Sequence, residues 1–150
     1  MVPNEKMKFL IAVVFKTTFL VSLLFIPQLA LANQEEIKNL QQREELLEET
    51  LKNYRLGTQA GIKTLSFGEF KSLITEMLEV KLKIIDVSEV KNPQAARIKV
   101  LERVLNLALE KEKETELLFK AGIGRIDDTL AAKSWRLDIQ TRLEQEKGLQ

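Results

Sequence analysis

Two groups of neighbouring carboxylates are the side chains of this sequence whose spacing could support chemistry. They are Glu44, Glu45, Glu48 and Glu49 in the first group and Asp127 and Asp128 in the second. Carboxylate oxygens bind hard cations such as Ca²⁺, but a calcium site also needs spaced oxygen ligands and carbonyl groups from a turn. Neither group has that arrangement, and acidic runs of this kind are typical of solvated helix faces and helix starts. No metal site is therefore predicted.

The composition excludes much of ordinary catalysis, because the chain contains no cysteine and no histidine. Disulfide bonds, thiolate or imidazole metal ligands and nucleophiles activated by histidine all require these residues. A carboxylate pair for glycoside hydrolysis needs a cleft as well, which thin antiparallel helices do not provide. The glycines do not form a phosphate loop, because no strand precedes them and no Lys-Ser/Thr pair follows. The sequence predicts a protein that is not an enzyme and holds no cofactor.

Residues 1–32 have the three-part pattern of a secretory signal peptide. Three lysines precede an apolar run, and a small-x-small triplet at residues 30–32 follows it. The run is shorter than the roughly 20 unbroken apolar residues of a membrane helix. We therefore expect cleavage after Ala32 and export of a single domain, residues 33–150, to the periplasm. Retention of the segment as an uncleaved anchor is the alternative.

The charges of the chain nearly cancel, with 23 Lys and Arg residues against 22 Asp and Glu residues. This balance gives no reason to expect nucleic acid or an anionic membrane as a partner. A domain of this size has a thin core unless its helices are long or find partners. Self-association, or binding of another protein through apolar helix faces, is therefore expected.

The spacing of apolar residues predicts four amphipathic helices and no strand. The first helix is expected over residues 34–56, and the second continues to the sequence VKNP. Its apolar residues advance in alternating steps of four and three, which is typical of coiled coils; they are Leu73, Met77, Val80, Ile84 and Val87. Four further apolar residues widen this stripe, namely Phe70, Ile74, Leu78 and Ile85. A third helix is expected from Pro93 to about Lys120, with an apolar stripe formed by Ile98, Leu101, Leu105, Ala108, Thr115 and Phe119. The predicted fold is all-α, with two long antiparallel helical hairpins that resemble coiled coils.

The sequence Ala-Gly-Ile occurs twice, at residues 60–62 and 121–123. In each case it follows an apolar-periodic segment and precedes a new helix start. Gly61 and Gly122 are therefore predicted to end the first and third helices, in the left-handed conformation that glycine adopts without strain.

The helix starts carry their own signals. Ser66 and Glu69 have the spacing of a capping box for the second helix. Asn92 is a favourable N-cap and Pro93 a favourable first residue for the third helix. Asp127, or its neighbour Asp128, is expected to cap the fourth helix, which carries the only tryptophan of the chain. These residues are predicted to have structural roles.

The second hairpin contains a recognisable series of short motifs. The sequence FKAG at residues 119–122 is followed by DTLAA at residues 128–132, then by Leu-Asp at residues 137–138 and a later leucine. In this order the motifs resemble the periplasmic helical hairpins of the TolC-like outer-membrane efflux proteins of Gram-negative bacteria. The first hairpin matches more loosely, through YRLG at residues 54–57. The resemblance covers about residues 47–147.

This resemblance implies a helical part of an envelope transport system, built from two similar halves. Members of the family are several times longer and also contain membrane β-strands, for which this sequence lacks the alternating pattern. The resemblance therefore implies a stand-alone or shortened relative that keeps the helical part.

Two functional hypotheses follow. In the first, the protein is an interaction subunit of an export or efflux assembly, associated with the outer membrane or the periplasm. In the second, it is a periplasmic holdase-type chaperone or stress protein that shields unfolded clients.

Overall fold

The computed structural model describes residues 33–61 and 65–148, so the predicted signal peptide lies outside the described residues. Every regular element in the described part is an α-helix, and the all-α fold class is confirmed. The helices are α1 (residues 33–59), α2 (Phe67–Val87), α3 (Pro93–Lys120) and α4 (Ile126–Gly148). Residues from Leu40 onward form one compact unit. None of the described helices combines the length and the apolar character needed to cross a membrane.

The first hairpin consists of α1 and α2. An ion pair joins Glu44 to Lys81, and the rings of Tyr54 and Phe70 lie 5.6 Å apart further along. Residue numbers rise along α1 as they fall along α2, so the two helices are antiparallel.

The second hairpin consists of α3 and α4. Lys147 donates a hydrogen bond of 2.8 Å to Glu102, and Arg136 donates one of 2.7 Å to Glu112. Residue numbers rise along α3 as they fall along α4, so these helices are antiparallel as well.

The two hairpins share one core. Trp135 of α4 lies edge-on to Phe67 and Phe70 of α2, with ring centroids 6.2 Å from each. The largest fully buried side chains come from α2 and α3 and are Ile74, Met77, Leu78, Leu101 and Val104. A long, thin hairpin on its own would be expected to bury only a narrow stripe of apolar side chains. Here the two hairpins pack against each other along their length.

The buried face of α2 includes the residues that were predicted to widen its apolar stripe, so this part of the prediction is confirmed. Of the residues at four- and three-residue steps, Met77 and Val80 are buried, whereas Leu73, Ile84 and Val87 are only partly buried. The remaining buried residues of α2 are Phe70, Ile74, Leu78 and Ile85. The reason is that α2 contacts all three other helices, so residues on both sides of the stripe reach the core.

Both predicted helix stops contain a glycine with positive φ. Gly61 has φ of 67° and Gly122 has φ of 74°. After α3, Gly122 N–H donates to the carbonyl of Phe119 at 2.9 Å and Ile123 N–H donates to that of Leu118 at 3.1 Å. This pair of bonds is the Schellman motif, which satisfies carbonyls that a helix end leaves free. Gly61 N–H makes the equivalent bond to Thr58, at 3.1 Å.

The starts of α2 and α3 use side-chain caps. Ser66 is the N-cap of α2, where Glu69 N–H donates to its hydroxyl and Ser66 N–H donates to the Glu69 carboxylate at 2.8 Å. Asn92 is the N-cap of α3 and accepts from Ala95 N–H at 3.0 Å, with Pro93 as first residue.

The start of α4 differs from the prediction. This helix begins at Ile126, so Asp127 lies inside its first turn and is not the N-cap. Gly124 lies so close to the end of α3 that a Cβ there would be 2.7 Å from the Phe119 nitrogen. The helix therefore starts two residues earlier than a cap at Asp127 would require, and three earlier than a cap at Asp128 would require. Asp127 stays favourably placed beside the positive end of the helix dipole.

Candidate functional site

The end of the second hairpin projects beyond the core. Thr115 is the last buried residue of α3 and Ala132 the first of α4, and no residue from 116 to 131 is buried. Five helical residues follow Thr115 before the turn, which corresponds to about 8 Å of helix at 1.5 Å per residue. The turn and the helix ends beside it thus form a free tip.

Large apolar side chains are concentrated at this tip. Leu117, Leu118, Phe119 and Ile123 are all exposed, and Ile123 is 77% exposed; we call these four residues the tip patch. Leu118 and Phe119 follow Thr115 by three and four residues, so they continue the buried stripe of α3 past the point where the core ends. Phe119 was predicted to lie in the buried stripe. It lies on the expected side of the helix but is exposed, because the core stops at Thr115.

Hydrogen bonds fix the shape of the tip. The carbonyl of Leu118 accepts from Ile123 N–H and also from Gly124 N–H, the latter at 2.9 Å. Across the hairpin, the Thr129 hydroxyl donates to the carbonyl of Thr115 at 3.2 Å. The tip patch is therefore presented on a defined turn, and binding would require little ordering of the backbone.

The charges around the tip patch are mixed. Lys120 lies 4.0 Å from Glu116, and Arg125 lies 3.2 Å from Asp127. Both pairs are solvent-exposed, and exposed pairs contribute little to stability. A surface with balanced charges around an apolar centre is suited to a partner that is itself neither strongly acidic nor strongly basic.

A second feature is a cleft of about 360 Å³ beside a buried lysine. Lys111 is only 4% exposed, and its ammonium group donates to the Tyr54 hydroxyl at 3.1 Å and to Glu114 at 2.9 Å. The same nitrogen lies 5.1 Å from the ring centroid of Phe70. The charge is therefore satisfied by a carboxylate, a hydroxyl and an aromatic ring within the fold, which gives this lysine a structural role.

The sequence contains a pattern that places Lys111 on the apolar face of α3. The predicted stripe of α3 contains Ala108 and Thr115. Residue 111 follows the first by three residues and precedes the second by four, so it lies on the same face of the helix. The predicted stripe did not include this position, where the residue is a lysine.

The acidic cluster on α1 is engaged in ion pairs. Glu48 accepts from Lys81 at 3.1 Å and from Arg103 at 2.8 Å, and Glu44 also pairs with Lys81. Burial raises the pKa of Glu48, but the hydrogen bonds and charges of Lys81 and Arg103 outweigh it, so that pKa is lowered from its ordinary value. These carboxylates therefore join α1 to α2 and α3. In the part of the chain that the structure describes, no cluster of acidic side chains has metal-binding geometry.

At the opposite end of the unit, Asp86 of α2 pairs with Arg97 of α3. The hydrogen bond and charge of Asp86 raise the pKa of Arg97 further above its ordinary value. Glu146 of α4 also lies 3.7 Å from this guanidinium group. These contacts join three helices and have no feature that indicates a ligand.

Comparison with known proteins gives no relative: no family model, no curated protein and no solved structure matches this chain. The features of this chain that indicate a function are therefore its fold, the tip patch and the sequence motifs at residues 119–122 and 128–132.

Proposed function

We propose that this protein is a non-enzymatic interaction subunit of the cell envelope, which docks through the tip of its second hairpin onto helices of an export or efflux assembly. The observation that carries the proposal is the tip patch, four large exposed apolar side chains at the end of α3 and in the hydrogen-bonded turn that follows it, outside the core. Apolar side chains collected in one exposed patch commonly mark an interaction site, whereas isolated ones are normal on any surface.

The proposed partner is helical for two reasons. The motifs that resemble TolC-like efflux proteins lie in the same hairpin, at residues 119–122 and 128–132. In addition, a narrow apolar turn with balanced charge is complementary in size and polarity to the groove between two packed helices. Placement in the periplasm rests on the predicted signal peptide, so export is part of the proposal.

The proposal is tested by affinity capture from envelope extracts. The bait is the full chain, compared with a double variant, Phe119→Ser with Ile123→Asn, which removes half of the tip patch. Leu56→Asn is the matched control, because Leu56 is 54% exposed on α1 and lies outside the tip. Circular dichroism establishes that all three proteins are equally helical.

We expect the parent and the Leu56 variant to retain a helical component of an envelope transport system, and the tip variant to lose at least ten-fold of it. Equal retention by the tip variant would contradict the proposal. Capture that yields no envelope transport component would contradict it as well.

The tip patch also favours the second hypothesis, a holdase-type chaperone, because exposed leucine and phenylalanine side chains bind unfolded chains. A holdase would suppress the aggregation of several unrelated clients, and the tip variant would lose this effect. A docking subunit would instead bind one folded partner at a fixed stoichiometry and leave client aggregation unchanged. Light scattering of heated client proteins therefore separates the two functions.

A further inference from the structure

Helix α4 is apolar on two opposite faces. Its inner face contributes the buried residues Ala132, Trp135, Ile139 and Leu143 to the core. Its outer face exposes Ile126, Leu130 and Leu137. Spacings of four and seven residues place these three on one side of a helix with 3.6 residues per turn. We call them the outer stripe of α4.

We infer that two copies of this chain associate through the outer stripe, with their α4 helices side by side and parallel. Leu130 and Leu137 are seven residues apart, the repeat at which leucines pack in two-stranded coiled coils. Ser134 lies between these two leucines on the same face, and Thr141 follows them. Both side chains are small and polar. The association is therefore weak and depends on protein concentration.

The charges beside the stripe favour a second copy and decide its direction. Lys133 and Asp138 lie on opposite flanks of the stripe, five residues apart, which is the spacing at which flanking charges of parallel helices meet. Neither side chain pairs with another described residue, whereas the neighbouring Arg136 and Arg142 are engaged within the unit. In a symmetric dimer, Lys133 of each copy would contact Asp138 of the other copy, so the contact would form twice.

The antiparallel arrangement is disfavoured by the same residues. In that arrangement equivalent flanks meet, so Asp138 would face Asp138 of the other copy. Like charges brought together across an interface are repulsive. The outer stripe shares no residue with the tip patch, although Ile126 and Leu130 lie close to the tip.

The first experiment is sedimentation equilibrium of the full exported chain over a range of concentrations. We expect a reversible monomer–dimer equilibrium. Lys133→Glu and Asp138→Lys should each weaken it several-fold by placing like charges opposite each other, and the double variant should restore it. A protein that stays monomeric at all concentrations would overturn the inference, and so would a double variant weaker than both single variants.

The second experiment determines the direction of the helices by disulfide trapping, which is free of background because the chain has no cysteine. In parallel helices, identical positions on the stripe face each other along its whole length. Asp127→Cys and Thr141→Cys should therefore both form disulfide-linked dimers on mild oxidation. Lys99→Cys, an exposed position on α3, is the control that should not. The parallel arrangement would be contradicted if neither Asp127→Cys nor Thr141→Cys formed a linked dimer. It would also be contradicted if a third variant, Ser134→Cys, were the only one that did.

Discussion

At the scale of single residues, Lys111 is the only buried charged side chain among those described. Replacing a buried ion by an apolar residue of similar length is often neutral or stabilising, because the cost of removing the charge from water disappears. Its partner Glu114 is partly exposed and can return to water. We therefore expect Lys111→Met to leave the free energy of unfolding unchanged or to raise it by about 1 kcal/mol.

Urea unfolding measures this effect. Lys111→Ala is the matched comparison, since it removes the charge and also leaves a cavity, at a cost of about 2 kcal/mol or more. If the methionine variant were as unstable as the alanine variant, the ammonium group itself would be required for folding.

Glu48 should give the fold a defined pH dependence. Its pKa is lowered in the folded state, so its contribution to stability is complete above the ordinary value of 4.5 and is lost as the pH falls through the lowered pKa. Glu48→Gln should therefore destabilise the protein at pH 7, and the difference from the parent should shrink below pH 4.5. Glu49→Gln, at an exposed position of the same helix, is the control. A Glu48→Gln effect of equal size at pH 7 and pH 3 would exclude this role.

At the scale of helices, the two turns of the hairpins depend on how glycines are used. Gly122 has positive φ with open space around it, so Gly122→Val should cost about 1 to 2 kcal/mol through backbone strain alone. Gly68 lies in the first turn of α2, also in open space, and Gly68→Ala should be neutral or stabilising by up to about 1 kcal/mol. Denaturant midpoints of the two variants test this. A Gly122→Val protein as stable as the parent would show that α3 does not need this stop.

The helix limits could be predicted from the sequence because they depend on local chemistry. Ser66, Asn92 and Pro93 act on the nearest backbone groups, and Gly122 acts through its own φ. Asp127 was placed wrongly because the α3–α4 turn is shorter than the α1–α2 turn, and the approach of Gly124 to α3 determines that length. Local patterns do not contain this tertiary distance.

The candidate site could be predicted only in part. The resemblance pointed to the second hairpin, but it did not show that Leu118 and Phe119 are exposed. Their periodicity is that of a buried stripe, and exposure arises because the core ends at Thr115. The length of one hairpin relative to the other is a property of the assembled fold, so the pattern of a single helix does not reveal it.

At the scale of the whole molecule, Trp135 joins the two hairpins through its contacts with Phe67 and Phe70. Trp135→Ala should cost about 3 to 5 kcal/mol, as expected for a large aromatic removed from a core. Leu109→Ala, at a half-exposed position on α3, should change stability by about 0.5 kcal/mol or less. Unfolding followed by circular dichroism gives both values. A small effect of Trp135→Ala would mean that the hairpins fold without each other.

We propose that the tip patch binds a helical envelope partner in the living cell. A photo-reactive amino acid placed at Ile123, the most exposed residue of the patch, tests this directly. The control is the same label at Lys99, which is exposed on α3 but remote from the tip in sequence. We predict that light attaches the Ile123-labelled protein to a single helical component of an export assembly and leaves the Lys99-labelled protein uncoupled. Coupling of the Ile123 label to no protein, or to the same proteins as the Lys99 label, would contradict the account.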